Sequence, residues 1–210
     1  MLVDSEPISN RVLAGLLSEI GLPMTPEESV ERFMGRSWKT VEAYARAALG
    51  EPLPDGFRRR YLDAMFAEFE TQLAPVPGVV AALDAITLPV CVASSGSHEK
   101  MRFTLGRTGL LDRFTQPASS ARTGHRRIFS AAEVEHGKPA PDLFLHAAAE
   151  MGWEPSACAV VEDSPAGVEA ALAAGMTALG YAGRTPPERL RGARVFGDMA
   201  ELPALLQAPS

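Results

Sequence analysis

Cys158-Ala159-Val160-Val161-Glu162-Asp163-Ser164-Pro165-Ala166-Gly167, running into Val168-Glu169-Ala170-Ala171-Leu172-Ala173-Ala174-Gly175, sets the architecture expected of the whole chain. Four small or branched apolar residues that end abruptly in two carboxylates read as a short strand buried on both faces, with its acids pushed out at the carboxyl end. In an α/β sheet that end is where ligands bind. Ser164 is a good N-cap and Pro165 suits the first helical position, so the pattern predicts a helix from there to Gly175. Two neighbouring acids at a helix N-terminus suit a hard divalent cation such as Mg²⁺, which removes the cost of bringing like charges together. A second reading stays open at this point, in which Asp163 caps the helix and Glu162 is solvated.

Two other stretches follow the same logic. Val90-Cys91-Val92-Ala93-Ser94-Ser95-Gly96-Ser97 is an apolar run with small hydroxyls at its end, a glycine, and then a helix start. Hydroxyls and backbone N–H groups there make a cradle for an anion such as phosphate, although plain N-capping explains the same residues. In His136-Gly137-Lys138-Pro139-Ala140-Pro141-Asp142 a lysine stands between a glycine and two prolines, on a backbone of restricted freedom. A fixed ammonium suits charge stabilisation. Only Lys39, Lys100 and Lys138 among the 20 basic residues are lysines, which sets Lys138 apart from a chance loop cation.

Around these stretches the chain changes character once. Up to about residue 74 it reads as four helices, over roughly 6–20, 26–34, 37–49 and 57–73, the last with a stripe of Phe57, Tyr61, Met65, Phe66 and Phe69 that suits a bundle core. Pro75-Val76-Pro77-Gly78 breaks the pattern. Beyond it, helices and short strands alternate, which predicts a parallel sheet covered by helices on both faces. Residues 115–126, without apolar periodicity, read as a surface loop.

Composition excludes several function classes. A chain of 210 residues buries a sizeable core, and no run approaches eighteen uninterrupted apolar residues, so no membrane partner is expected and the cytoplasm is the expected compartment. The formal charge of −6, with basic residues scattered among more numerous acids, argues against a nucleic-acid partner. Cys91 and Cys158 sit in apolar strand-like runs and are read as buried free thiols, and the four histidines lack zinc-like spacing.

Taken in order and spacing, a strand ending in Ser94, the Gly137-Lys138-Pro139-Ala140-Pro141 loop and the Val160-to-Val168 stretch resemble the haloacid dehalogenase-like phosphohydrolases. The likeness is to the branch with an inserted helical cap, which holds β-phosphoglucomutase and small phosphosugar phosphatases of the 6-phosphogluconate phosphatase type. It covers nearly the whole chain: Leu2-Val3-Asp4-Ser5-Glu6-Pro7 matches the segment leading into the cap, and Phe33-Met34-Gly35-Arg36-Ser37 matches the cap loop that faces the active site.

The resemblance implies a Rossmann-like α/β core over residues 1–7 and 76–210 and a helical cap over 8–75. It implies Mg²⁺ held by Asp163 with Glu162 assisting, a phosphoryl group hydrogen-bonded by Ser94 and neutralised by Lys138, and Ser95 and Gly96 helping to hold phosphate. Arg36 and Lys39 become candidate substrate contacts from the cap. The implied activity is hydrolysis of a small phosphosugar-type monoester through an aspartyl-phosphate, with a β-phosphoglucomutase-like mutase as the alternative and a monomer favoured. A phosphate-accepting receiver domain fits the core but neither the cap nor the lysine loop.

The family's first motif, a buried strand followed by Asp-x-Asp-Gly, supplies nucleophile and general acid/base, and it is absent from this sequence. Asp4 belongs to the later part of that motif and cannot replace it. The chain as written is therefore expected to be inactive, and the functional polypeptide is expected to be longer by roughly one strand upstream of Met1. The competing expectation is a short phospholigand-binding relic. Losing a central strand would exceed the ~5–15 kcal/mol stability margin of an ordinary domain, which favours the longer polypeptide.

Overall fold

Helix α1 (Glu6–Glu19) buries Ile8, Leu13, Leu16 and Leu17 along one face and stops before Gly21, whose φ of 86° takes the chain out of the helix. The description comes from a computed structural model and covers residues 1–115 and 127–207. The expected loop over 115–126 therefore lies outside the described residues except for Thr115. Two compact units emerge, one of Val3–Ala74 and one of Met1–Leu2 with Pro75–Ser210.

In the first unit α1 is followed by α2 (Pro26–Phe33), α3 (Trp38–Leu49) and α4 (Phe57–Gln72), with α2 and α4 packed on α1. Helix α2 begins with a capping box: Thr25 Oγ1 accepts from the Glu28 N–H at 3.1 Å, and the Glu28 carboxylate accepts from the Thr25 N–H at 2.8 Å. Helix α4 presents Phe57, Tyr61, Met65 and Phe69 at intervals of four, all buried, and each large apolar side chain so removed from water contributes roughly 1.5–3 kcal/mol. Between α1 and α2 the buried Ser29 hydroxyl donates to Asn10 Oδ1 at 2.8 Å, and Asn10 Nδ2 donates to the Glu6 carbonyl at 2.9 Å. Satisfied polar groups of this kind fix which faces meet. Burial, reinforced by Glu6 and opposed by a Ser9 hydrogen bond, pushes the Tyr61 phenol well above its ordinary pKa.

The second unit alternates helix and strand: α5 (Val79–Ala85), β1 (Val92–Ser94), α6 (His98–Arg107), α7 (Asp112–Thr115), β2 (Ile128–Ser130), α8 (Asp142–Met151), β3 (Ala159–Glu162), α9 (Pro165–Ala173), β4 (Thr177–Tyr181), β5 (Arg194–Phe196) and α10 (Leu202–Gln207). All described strand pairs are parallel, as α/β alternation requires. They form a pair β1-β2, in which Ser94 stands beside Ser130, and a triple β3-β4-β5, in which Glu162 stands beside Gly180. The expected single sheet is thus two sheets among the described residues.

The acid-bearing strand differs from expectation as well. Ala159 is exposed, Val160 and Val161 are half-buried, and Glu162, expected to project outward, is 8 % exposed. Among the described residues β3 has β4 as its one strand neighbour and β1 has β2; β1 is half-buried throughout, whereas β2, with as many neighbours, is buried at every position. The core lies between these strands and α8 and α9, where Phe129, Leu143, Val168, Ala170 and Ala171 are almost wholly buried and the alanines let α9 lie close to the sheet. No helix among the described residues is long and apolar enough to cross a membrane.

Candidate active site

Strands β1 and β3 deliver their polar termini to one place. Ser94 ends β1, and its hydroxyl accepts from the Gly96 N–H at 3.1 Å, so the turn closes on that side chain and leaves its O–H free to donate. Ser97 then caps α6, accepting from the Lys100 N–H at 3.2 Å. The turn is tight: a Cβ on Gly96 would stand 3.4 Å from Ser94 Oγ. Ser95 is half-buried beside it.

Lys138 links the two strands. Its Nζ donates to the Ala93 carbonyl, one residue before Ser94, at 3.3 Å, and to the Glu162 carboxylate. The side chains are only 6 % and 10 % exposed, so this is a desolvated ion pair, and the Phe144 ring, 4.7 Å from the ammonium, covers it further. Burying both charges is tolerable because each is paired. The second Glu162 oxygen accepts from the Ser164 hydroxyl at 3.0 Å, while the same hydroxyl accepts from the Gly167 N–H and caps α9. A Cβ on Gly167 would fall on the Glu162 carboxylate. Glycine there is what lets the acid lie against the helix N-terminus.

Asp163 has a different environment. Its carbonyl accepts from the Thr185 hydroxyl at 2.5 Å, its carboxylate is a quarter exposed, and the Met1 ammonium lies 3.5 Å from Oδ2. Among the described residues no group of three or more His, Cys, Asp or Glu side chains is arranged to hold a metal. Magnesium often takes only one or two protein carboxylates and completes its shell with water and phosphate. Asp163 suits that role, and Glu162, expected to assist it, accepts from Lys138 and Ser164.

The structure therefore brings Lys138 against Glu162 and the Ala93 carbonyl, one residue before Ser94, with Asp163 next to Glu162 in the chain. Arg36 and Lys39 belong to the other unit, where both are exposed. Arg36 follows Gly35, whose φ is 75°, and Lys39 is in the first turn of α3 beside Trp38, which stacks on Tyr61 at 5.3 Å. Sequence reasoning missed Ser130 and Thr185. The Ser130 hydroxyl donates to the Gly96 carbonyl at 2.8 Å and so holds the Ser94 turn from the neighbouring strand. The signal was present as Ser130-Ala131-Ala132-Glu133, a capping-box pattern. Thr185 has no local signature, since its partner is 22 residues away. A donor hydroxyl, a buried ammonium and a partly exposed carboxylate together suit binding and charge neutralisation of a phosphoryl group.

A family model described as haloacid dehalogenase-like hydrolase matches residues 2–175. The 6-phosphogluconate phosphatase of Escherichia coli is 30 % identical over 210 residues, covering 99 % of this chain and 90 % of that protein. A β-phosphoglucomutase from Mycobacterium bovis is 39 % identical over 132 residues, covering 57 % of this chain and 46 % of the mutase. A crystal structure of a conserved haloacid dehalogenase-like protein of unknown function from Agrobacterium tumefaciens superposes with a TM-score of 0.77 at 34 % identity, covering 98 % of this chain and 92 % of the other.

Proposed function

The chain belongs to the haloacid dehalogenase-like hydrolases, and from that premise we propose that it serves a Mg²⁺-dependent phosphatase acting on a small phosphosugar monoester. The observation that carries this reading is Lys138, held between the Ala93 carbonyl and the Glu162 carboxylate at the ends of β1 and β3. In this reading the Ser94 O–H donates to a phosphoryl oxygen while the Gly96 N–H holds Ser94 in place. Lys138 neutralises charge on the phosphoryl group and on the attacking carboxylate. Asp163 would hold Mg²⁺, which supplies further neutralisation of phosphoryl charge when bound. Arg36 and Lys39 are proposed to contact the remainder of the substrate.

The attacking aspartate, which would form an aspartyl-phosphate, is assigned to a strand preceding Met1 in a longer polypeptide. Strands β1 and β3, whose sequences are apolar, each have one strand neighbour among the described residues, which supports that assignment.

The test is hydrolysis of p-nitrophenyl phosphate and a panel of sugar phosphates by the chain as given and by a form extended with a strand ending in Asp-x-Asp. Hydrolysis by the extended form alone, abolished by EDTA and restored by Mg²⁺, is the expected result. Binding of inorganic phosphate without hydrolysis by either form would replace the phosphatase with a phospholigand-binding protein. The partial similarity to a β-phosphoglucomutase keeps a mutase as the second reading, distinguished by conversion of β-glucose 1-phosphate to glucose 6-phosphate without phosphate release.

A further inference from the structure

Glu133 has no part in the chemistry described above, yet three elements converge on it. Its Oε1 accepts from the Ser130 N–H at 2.7 Å and from His98 Nε2 at 2.5 Å, and its Oε2 contacts His146 Nε2 at 3.2 Å. His98 is the first residue of α6, directly after the Ser94-to-Ser97 turn, and His146 lies on α8, the helix that the Lys138 loop leads into. The Glu133 side chain is 18 % exposed, less than either histidine, so the carboxylate is the most shielded member of the cluster. From Ser130 the chain of contacts continues inward. The Ser130 hydroxyl accepts from the Ala132 N–H at 3.2 Å and donates to the Gly96 carbonyl at 2.8 Å, and the Gly96 N–H donates to Ser94 Oγ.

We propose that Glu133 is a positioning residue that holds the Ser94 hydroxyl in register with Lys138 by tying the turn before α6, the end of β2 and helix α8 to one carboxylate. The inference rests on the reading of Ser94 as a phosphoryl-binding hydroxyl. It adds a residue that never touches the phosphoryl group. A carboxylate suits the task because it accepts from several donors at once, and hydrogen bonds to an ionised group are the stronger kind. The buried Ser130 hydroxyl passes the constraint on through its 2.8 Å bond to the Gly96 carbonyl, and the Gly96 N–H holds Ser94 Oγ at 3.1 Å.

The test uses the full chain and its Glu133→Gln, Glu133→Ala and Ser130→Ala variants. Amide hydrogen exchange at Gly96 is read by NMR, together with inorganic phosphate binding by chemical-shift titration and the urea midpoint. Expected for Glu133→Ala is Gly96 exchange faster by about tenfold and phosphate binding weaker by a similar factor, the size of one charge-assisted hydrogen bond. Glu133→Gln, which keeps the shape and one acceptor, should recover part of both. Ser130→Ala should speed Gly96 exchange without disturbing His98 or His146. Unchanged Gly96 exchange in Glu133→Ala overturns the proposal. So does exchange that rises equally throughout β2 and α8 with a collapsed urea midpoint, which marks a merely structural residue. If Gly96 responds as expected but the unsubstituted chain shows no phosphate shifts at Ser94 to Ser97, the positioning role stands and the phosphoryl-binding reading of the turn falls.

Discussion

At the residue scale, the Lys138–Glu162 pair shows how a charge is made useful by burial. In water a lysine and a glutamate attract weakly, but here both side chains are nearly out of solvent, and each is the main counter-charge of the other. Removing one leaves its partner buried and uncompensated. Lys138→Met or Glu162→Gln alone should therefore cost about 3–5 kcal/mol in urea unfolding, while the double substitution costs less than the sum. If the proposed phosphatase activity is found in the extended form, Lys138→Met should lower its kcat by roughly 10²–10³, the scale of losing one preorganised charge-stabilising donor. Cys91 offers a second test. Burial, with a smaller contribution from Cys158 and an opposing one from Arg127, pushes its thiol from 9.0 up to about 11. The folded protein then keeps a proton that the unfolded chain sheds, so this contribution is complete below pH 9 and lost as pH rises toward 11. Stability should fall across that window by roughly 2 kcal/mol, and Cys91→Ala should flatten the decline in pH-dependent urea titrations.

At the scale of elements, the β3-to-α9 junction was the most legible part of the sequence, yet it also produced an error. Ser164 and Pro165 start the helix where the pattern placed it, because capping is a local matter of one hydroxyl and one N–H. The exposure of Glu162 was misjudged because its partner, Lys138, is 24 residues away and invisible to local periodicity. Ser164→Ala should destabilise by about 1 kcal/mol for the cap alone, and more because Glu162 loses a donor. Gly167→Ala is the sharper probe. Its methyl group would occupy the space of the Glu162 carboxylate, so the acid must leave Lys138 or the helix must shift, at about 1–3 kcal/mol. A urea midpoint equal to that of the unsubstituted chain would show that Glu162 does not lie on the helix start.

At the scale of the whole molecule, the two sheets pose the largest question. An apolar strand with an open edge is a template for pairing, and Ala93 and Val160, from β1 and β3, pack on one core cluster. Extension by one strand upstream of Met1 should raise the urea midpoint, steepen the transition as more surface is buried, and slow amide exchange in β1 and β3 by at least about tenfold. Equal exchange in both forms would exclude that strand from the sheet. Much of the architecture needed no coordinates. The change from helical periodicity to helix–strand alternation near Pro75 announced two kinds of unit, and the three polar strand and loop ends pointed to Ser94, Lys138, Asp163 and Glu162 as candidates. Such signals are local, since capping, turn chemistry and side-chain periodicity act over a few residues. What tertiary structure alone decided was which strands share a sheet, that Glu162 is buried against Lys138, and that Ser130 and Glu133 brace the Ser94 turn. Each of these depends on contacts between residues far apart in the chain, whose free energy is set by burial and pairing in three dimensions and leaves no periodic trace in one.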